Sequence, residues 1–546
     1  MDNLRVVLYI ALVLIVMQIW VAWQEEKGAP RAPVTTAPPA TAPAERGAPP
    51  APPAASALAP SPRAPETVAR AQRIEAVTDL VRAVIDTQGG DLRGLYLLKH
   101  PVAADKPEQP FPLMSDSGAE LYIAQSGLIG HEAQLPTHKT RYRAEQARYT
   151  LAAGKNELRV PLTWQAPDGV RYTKTYVFHR DSYVVDVEFT VANTTRREWN
   201  GYFYGQFVRA YAEAGGMFAL PTFTGGAIYT PEDKYQKLPF SDMASKPLKR
   251  EVSGGWVAVL QHYFVGAWMP GAQERSQFYT DVQEGPRYVI GYKTLAPQRI
   301  GPGQTGIVRA SIYAGPKEQK RLKQLVAGMD LTVDYGWLTV LSAPLFWLLD
   351  RIHGFIGNWG WAIAIVTLLI KLAFYPLSAA SYKSMAQMKK LQPRLLALKE
   401  RYGDDRQKLN QAMMELYKTE KINPLGGCLP ILIQIPVFLA LYWVLLESVE
   451  MRQAPWILWI KDLSAQDPYY VLPVIMGATM YLQMLLNPQP VDPIQKKVFM
   501  FMPLMFTGMF IFFPAGLVLY WTVNNILSIT QQWRINQVIG AKAKAS

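Results

Sequence analysis

The chain has 546 residues, a formal net charge of +13 and one cysteine, Cys428. A lone cysteine excludes an intrachain disulfide and a thiolate metal cluster. The six histidines lack metal-ligand spacing and no His-Glu-x-x-His motif occurs, so the sequence predicts no metal site and no cofactor. The positive charge fits nucleic acid, an anionic membrane surface or the cytoplasmic loops of a membrane protein, and its position along the chain decides between them.

The first predicted element is a near-continuous apolar run of about 20 residues, which is long enough to span a bilayer. We predict a transmembrane anchor over 1–24, because Trp20 and Trp23 suit a membrane interface; a cleaved signal peptide is the alternative. Residues 25–66 are dominated by alanine and proline. Because this composition cannot bury a core, it predicts a disordered, extended tether.

Residues 67–330 have the pattern of a β domain, most clearly where polar and apolar residues alternate at 170–191. Asp168-Gly169 before this stretch indicates a hairpin turn, and Asp181-Ser182 indicates another. Further strand-like runs cover 254–268, 288–292 and 306–313. Many strands without alternating helices predict an antiparallel β-sandwich, which a short helix at 317–327 would close.

Beyond residue 330 the chain consists mainly of long apolar runs. Charged residues and Pro344 interrupt the run at 331–358, which favours an amphipathic helix in the membrane interface. Residues 377–423 are polar and predict a helical hairpin divided near Gly403. The remaining predicted spans are 359–376, 424–446, 471–486, 498–513 and 516–533, which leave loops at 447–470 and 487–497 and a tail at 534–546. The predicted fold is multi-domain: an α-helical polytopic membrane bundle with a five-span core plus an N-terminal anchor, an all-β sandwich and a helical hairpin.

The distribution of charge predicts the orientation in the membrane. Basic residues are concentrated in the hairpin, in the loop 487–497 and in the tail, whereas the loop 447–470 has an acidic excess. The positive-inside rule therefore predicts that the hairpin and both termini are cytoplasmic and that the β domain lies outside.

Lys371 is the main candidate for a functional residue, because an ionisable group inside a span usually faces protein or water. Snorkelling to the cytoplasmic headgroups is the alternative. Thr367 lies one helical turn earlier on the same face, and Gln434 and Asn524 add polar groups in other spans. Further polar residues of the last span are Asn525, Ser528 and Gln531. Together they predict a wetted cavity open to the cytoplasm, with ordinary interhelical hydrogen bonding as the alternative.

The predicted spans 471–486 and 498–513 are short for a bilayer. At about 1.5 Å per residue each covers roughly 24 Å, against a hydrocarbon core of about 30 Å. Short spans thin the bilayer locally, which lowers the barrier for moving a polar segment across it. The alternative is that interfacial residues extend these helices.

No arrangement of residues in the spans supports an enzyme, since paired carboxylates and Ser-His or Ser-Lys pairs are missing. We predict no catalytic residue. The hairpin carries the basic residues Lys389, Lys390, Arg394, Lys399 and Arg401. They predict unspecific contact with acidic lipid or ribosomal RNA and no specific nucleic acid, while a solvated helix pair is the alternative.

Several segments resemble YidC-type membrane protein insertases of the six-span form with a large periplasmic domain. They are NPLGGCLP at 423–430 with QIP at 434–436, LTVDYGW at 331–337, DLSAQDPYY at 462–470 and PAGLVLYW at 514–521. The resemblance covers nearly the whole chain and implies an inner-membrane protein with a sugar-binding-like β-sandwich outside. It also implies a hydrophilic groove that is closed to the outside.

The resemblance also implies roles for single residues. The groove's positive residue corresponds to Lys371, where many relatives have arginine, so the charge is kept and the bidentate fork is lost. Thr367 corresponds to a groove threonine. Tyr520 and Trp521 correspond to an aromatic pair that is Tyr-Tyr in some relatives. The implied partners are nascent membrane proteins, the Sec translocon, the ribosome and the lipid bilayer.

We therefore predict an insertase and chaperone that works without nucleotide turnover, alone or with the Sec translocon. Lys371 would attract acidic residues of a client, whose apolar helix then slides into lipid. A transporter or channel is the alternative, but it would require half-repeats, and the spans show no inverted repeat. A chaperone that only holds spans together overlaps with the first hypothesis.

Overall fold

The computed structural model describes residues 72–130, 134–211, 222–283, 285, 287–403, 405–420, 429–487 and 493–545. The predicted anchor 1–24, the tether 25–66 and the motif residues 423–428 lie outside these ranges. The described residues form two compact units. The β unit contains residues up to 339 together with 446–453, and the helical unit contains 340–445 and 454–545.

The β unit consists of two large sheets. The first has eleven strands: β1 Arg73–Val77, β2 Val81–Asp86, β3 Leu92–Pro101, β4 Pro110–Met114, β5 Tyr122–Ile129, β7 Arg148–Thr150, β11 Trp199–Ala210, β14 Lys249–Ser253, β17 Arg275–Gln283, β18 Arg287–Thr294 and β19 Gln298–Ile300. Its main order is β14-β17-β18-β11-β5-β3-β2-β1-β7, with β19 on β11 and β4 on β3. The pair β1–β7 is parallel, which departs from the antiparallel pairing that the sequence predicts.

The second sheet has nine strands, all paired antiparallel. They are β6 Arg143–Ala144, β8 Glu157–Gln165, β9 Arg171–His179, β10 Val184–Ala192, β12 Gly225–Thr230, β13 Lys234–Leu238, β15 Trp256–Leu260, β16 Phe264–Met269 and β20 Thr305–Pro316. Their order is β13-β12-β15-β16-β20-β10-β9-β8-β6. The two predicted turns join β8 to β9 and β9 to β10, with φ of +94° at Gly169 and +50° at Asp181.

Aromatic side chains fill the space between the two sheets. The ring of Trp268 from β16 lies 5.9 Å from Phe203, 6.0 Å from Phe207 and 6.4 Å from Tyr292, which all belong to the first sheet. These rings pack at the tilted and edge-to-face angles that aromatic pairs prefer. The core therefore lies between the sheets, as a β-sandwich requires.

Lys174 of β9 lies on the buried face of its strand. It is 0% exposed, and its ammonium donates hydrogen bonds to the carbonyl oxygens of Gly89 at 3.1 Å and Ser126 at 3.0 Å. Both carbonyls belong to the first sheet or to the turn after β2. A buried charge needs such partners, and here they connect the two sheets.

Among the described residues, two short α-helices belong to the β unit, and eight α-helices follow from residue 339. The first two are α1 Phe240–Ser245 and α2 Gln319–Leu325, of which α2 lies within the predicted 317–327. The others are α3 Thr339–Ile356, α4 Trp359–Ala373, α5 Tyr375–Tyr402, α6 Arg406–Thr419, α7 Leu429–Glu447, α8 Val471–Leu486, α9 Pro493–Phe510 and α10 Ala515–Ala545.

Three helices extend beyond the segments that the sequence predicts. The sequence predicts that a span ends at residue 376, but the next helix, α5, already begins at Tyr375 and accepts Pro376 in its first turn. The predicted loop 487–497 includes the first turn of α9, and the predicted tail 534–546 is helical to Ala545. Hydropathy marks the apolar part of a helix, whereas the helix itself continues through polar residues.

Among the described residues, no single helix has both the length and the hydropathy of a membrane-crossing segment. The helices α4 and α5, which are bent by 69° at their junction, satisfy the two criteria as a pair. Shorter apolar helices cover Gln434–Glu447 and Val471–Leu486.

Residues 446–453, at the end of α7 and just after it, pack within the β unit. Lys317 is 3% exposed, and its ammonium lies 3.8 Å from the carboxylate of Glu447. The guanidinium of Arg452 donates to the carbonyl oxygen of Pro101 at 2.7 Å. The β unit is therefore built from two separate stretches of the chain.

Candidate functional site

Lys371 lies in the last turn of α4 and is 4% exposed. Asn358 begins this helix, since its side-chain oxygen accepts a hydrogen bond from the backbone amide of Trp361 at 3.1 Å. The Lys371 ammonium donates to the Ser528 hydroxyl at 2.8 Å and to Gln434 Oε1 at 3.3 Å. Within the described residues no carboxylate lies at ion-pair distance from Lys371, and the two side chains that accept from its ammonium are uncharged.

A cavity of about 360 Å³ opens beside Lys371. Its polar lining consists of Lys371, Ser378, Ser381, Tyr382, Gln434, Gln483, Asn487, Tyr520, Asn524, Asn525 and Ser528. Its apolar lining consists of Ile370, Met385, Ile435, Val437, Phe438, Met480, Met484, Phe499, Met502, Pro503 and Trp521. The helices α4, α5, α7, α8, α9 and α10 all contribute, and the lining contains both polar and apolar side chains.

Five of the six predicted groove residues line this cavity: Lys371, Gln434, Tyr520, Trp521 and Asn524. The two aromatic residues of α10 contact Phe438 of α7, with ring centroids 5.7 Å apart for Tyr520 and 4.7 Å for Trp521. These contacts hold α7 and α10 together beside the cavity.

Thr367 is the predicted residue that does not line the cavity. It is buried, and its hydroxyl donates to the carbonyl oxygen of Ile363 in the same helix at 2.7 Å. A hydroxyl that bonds within its own helix is satisfied there, so Thr367 supports the packing of α4 next to Lys371.

The first turns of α5 add residues that the sequence analysis assigned to the hairpin and not to the site. Ser378, Ser381, Tyr382 and Met385 all line the cavity. Their spacing of three, four and seven residues from Ser378 places them on one helical face, and this periodicity was the available signal. Ser528 bonds directly to Lys371, whereas the sequence alone marks it only as a polar residue of the last span.

The predicted basic residues lie along α5. Lys389, Lys390, Arg394 and Arg401 are exposed and Lys399 is half-buried. On the opposite side of α5, the buried Leu391 and Leu395 pack against residues of α6.

Arg394 forms an ion pair with Glu420, just after α6. Asp405 begins α6 by accepting from the Lys408 amide at 3.1 Å. The two helices thus pack on an apolar face and present basic residues to the surface.

The sequence matches two family models in order along the chain. Residues 73–348 match the model described as the YidC periplasmic domain. Residues 351–542 match the model described as the 60Kd inner membrane protein. These two matches, with the β unit and the helical unit, define an inner-membrane protein that carries a periplasmic β-sandwich domain.

Full-length relatives give the same assignment. The membrane protein insertase YidC of Thioalkalivibrio sulfidiphilus is 50% identical, and the alignment covers 100% of both chains. The protein of the same name from Alkalilimnicola ehrlichii is 52% identical over 98% of this chain and 95% of its own. The chain therefore belongs to the YidC family of membrane protein insertases, which confirms the resemblance found in the sequence. The family inserts nascent membrane proteins and is not a family of enzymes.

Among solved structures, the chain is similar to one described as an active YidC insertase crystal structure with the first transmembrane domain resolved. The identity is 19%, the TM-score is 0.41, and the match covers 85% of this chain and 92% of that one. The family assignment rests on the sequence relatives and not on this superposition.

Proposed function

We propose that the cavity beside Lys371 is the groove through which a polar segment of a nascent membrane protein enters the bilayer. The observation that carries this proposal is the buried Lys371 ammonium, whose described partners are a hydroxyl and an amide. At an effective dielectric constant of about 20, the coulombic attraction between this ammonium and a carboxylate about 4 Å away is about 4 kcal/mol, before the cost of desolvation. A client segment with acidic residues would supply that carboxylate.

The mixed polar and apolar lining of the cavity supports transient binding of a client segment. The serine, asparagine and glutamine side chains offer hydrogen bonds to a polar segment, while the methionines of α5, α8 and α9 accept apolar side chains of varied shape. The client's apolar helix then moves into lipid, driven by burial of its hydrophobic surface.

We propose the six-span orientation with both termini and the α5–α6 hairpin in the cytoplasm. The support is the concentration of basic residues in α5, at Lys496 and Lys497, and at the end of α10. The helix α3 would lie in the interface on the periplasmic side of the inner membrane. Its exposed apolar residues, such as Val340 at 83% and Phe355 at 91%, form the kind of surface that lipid covers.

The exposed basic residues of α5 support contact with the ribosome or with anionic lipid, and the protein would act alone or beside the Sec translocon. Replacing Lys389, Lys390 and Arg401 with glutamine should weaken ribosome binding and reduce its salt dependence. Cosedimentation of the full-length protein with ribosomes at several salt concentrations measures both effects. Unchanged binding would remove α5 from the ribosome contact.

Insertion into reconstituted vesicles tests the role of Lys371. The Lys371→Met variant should insert a client with an acidic external tail at least about tenfold more slowly, which corresponds to about 1.4 kcal/mol. The matched Lys371→Arg variant keeps the charge and should stay within about threefold of the wild type. A second client, identical except for a neutral tail, should respond weakly to both variants. Equal losses for the two clients would contradict the charge attraction, and no loss for either would contradict the groove.

A further inference from the structure

The β unit has a large cleft of its own, which plays no part in the proposed groove. Its volume is about 980 Å³. Its lining includes Arg141, Tyr142, Arg143, Trp164 and Arg171. No carboxylate is found among the described residues that line it.

The segment that carries two of these arginines connects the two sheets. The backbone of Arg141 pairs with Gln88, which follows β2 of the first sheet, while Arg143 pairs with Thr163 of β8 in the second sheet. Between them, Tyr142 is 2% exposed, and its backbone amide donates to the Thr87 carbonyl at 2.9 Å. The buried tyrosine fixes the segment, so the side chains of Arg141 and Arg143 share the exposed side, about 6.8 Å apart along the strand.

The third arginine, Arg171, lies on β9, which β8 separates from β6. Arg171 of β9 pairs with Gln165, two residues from Thr163 on the same face of β8. Arg143 and Arg171 therefore belong to one face of the nine-stranded sheet, two strands apart. All three arginines are exposed, and within the described part of the chain none of them forms an ion pair. Three guanidinium groups without carboxylates make this cleft a site for a ligand with several negative charges.

Two further features distinguish among anionic ligands. The cleft lies at the end of the nine-stranded sheet, where β6 is the last strand in the sheet order. The residues just before β6 already pair with the turn after β2, so an added extended chain would pair with the backbone of β6 itself, Arg143–Ala144. Trp164 is half-exposed and stacked on Tyr172 with ring centroids 5.4 Å apart, which gives the cleft a fixed apolar surface.

We propose that this cleft binds an extended acidic segment of a polypeptide. In an extended peptide, alternate side chains repeat about every 6.8 Å on one side, which matches the spacing of Arg141 and Arg143. Alternate carboxylates pair with these two arginines, a further carboxylate reaches Arg171, and the intervening side chains face Trp164.

Peptide binding to the full-length protein in lipid nanodiscs tests the proposal. The probe is a fluorescent ten-residue peptide of alternating aspartate and alanine, followed by anisotropy. Replacing Arg141, Arg143 and Arg171 together with glutamine should weaken binding at least about tenfold. The matched control replaces Arg196, Arg287 and Arg299, which are exposed arginines of the same unit and give the same change in net charge. This control should bind within about twofold of the wild type.

Three outcomes would overturn the proposal: an equal loss in the control variant, equal binding of a peptide with the aspartates in one block, or tighter binding of inorganic polyphosphate of matched charge. The first would indicate a net-charge effect. The second would exclude recognition by the spacing of alternate carboxylates, and the third would indicate a phosphate site. Hydrogen exchange of β8 and β9 in the triple variant checks that the sheet is intact. The comparison is repeated in a Lys371→Met background, where attraction of the peptide to the groove is removed from both the wild type and the triple variant. The difference of about tenfold should remain, and its disappearance would assign the binding to the groove.

Discussion

The ammonium of Lys371 lies 2.8 Å from the hydroxyl of Ser528, and this hydrogen bond links the end of α4 to the middle of α10. The same hydroxyl donates to the carbonyl oxygen of Asn524 at 2.8 Å, so Ser528 is held by its own helix while it accepts from the lysine. Because a hydroxyl carries no charge, it solvates the ammonium without neutralising it. The site is therefore stable when empty and keeps its attraction for a carboxylate.

Removal of the Ser528 hydroxyl should lower the stability of the fold while the attraction of Lys371 for a client carboxylate remains. We expect Ser528→Ala to lower the free energy of unfolding by about 1.5–3 kcal/mol, as for other hydrogen bonds to charged groups. Insertion of clients with acidic tails should stay within about twofold, since the charge remains. Thermal unfolding in detergent and vesicle insertion measure the two effects. The control is Thr530→Ala, whose exposed hydroxyl bonds within α10 and which should change neither.

Asp467 fixes the start of α8, and its loss should destabilise the helical unit. Its carboxylate accepts from the Trp459 indole at 2.9 Å, from the Tyr469 amide at 3.0 Å and from the Leu472 amide at 2.7 Å. We expect Asp467→Ala to lower the unfolding free energy by about 3 kcal/mol, because three donors lose their acceptor. Asp467→Asn keeps one acceptor oxygen and should cost less. Thermal unfolding compares the two, and equal losses would show that the charge alone matters.

Gly205 of β11 should not tolerate a larger residue. A Cβ atom at this position would lie 2.7 Å from the ring of Trp268, between the two sheets. We expect Gly205→Ala to destabilise the β unit by about 1–3 kcal/mol through overpacking. At Gly271 an added Cβ would meet its nearest neighbour at 3.5 Å, so Gly271→Ala should be close to neutral. Hydrogen exchange of the β11 and β16 amides checks both variants, and a neutral Gly205→Ala would contradict the tight packing.

Acid should weaken the β unit through His262. Burial lowers the pKa of His262 to about 4, and its Nε2 lies 2.8 Å from the carbonyl oxygen of Leu446, to which the neutral ring donates. A lowered histidine pKa favours folding above the unfolded pKa of about 6.5, and this stability is lost as the pH falls towards 4. Two and a half pKa units set an upper limit of about 3 kcal/mol.

His262→Gln should reduce this acid sensitivity, measured as hydrogen exchange of β15 and β16 in the full-length protein between pH 6.5 and pH 4. His138 lies between β5 and β6, with its Nδ1 2.6 Å from the hydroxyl of Tyr204 in the first sheet. Burial also lowers its pKa to about 4, so it supplies a similar pH dependence there. In the His262→Gln variant, the loss of protection at low pH should therefore persist near residue 138. A pH profile of β15 and β16 identical to that of the wild type would exclude His262 as the source.

The sequence supports the β fold and the central residue of the groove for physical reasons. Alternation at 170–191 fixes which side chains are buried, and β9 and β10 follow it. Lys371 could be found because a cation among apolar residues needs a polar partner. The partner could not be chosen in advance, since five polar residues of α10 lie within about two turns, at 524–531, and only the packing selects Ser528.

Other features depend on contacts between distant residues. The parallel pairing of β1 with β7 joins segments about seventy residues apart, and no local pattern encodes it. The cavity-lining face of α5 was assigned to the hairpin, because polar serines resemble a solvated surface until the bend after Ala373 is known. Lys174 has the spacing of a buried residue, but its chemistry predicts exposure. Two carbonyl groups and the buried carboxylate of Asp91, which come from distant parts of the chain, allow it to be buried.

Cutting the chain after residue 339 would yield a fragment different from the β unit of the intact protein. Such a fragment lacks Glu447 and Arg452, which come from a stretch more than one hundred residues later. Lys317 would lose its carboxylate, and the carbonyl of Pro101 would lose a donor. In such a fragment water would solvate the Lys317 ammonium, so the surface would carry a free basic residue where the intact protein has a buried ion pair.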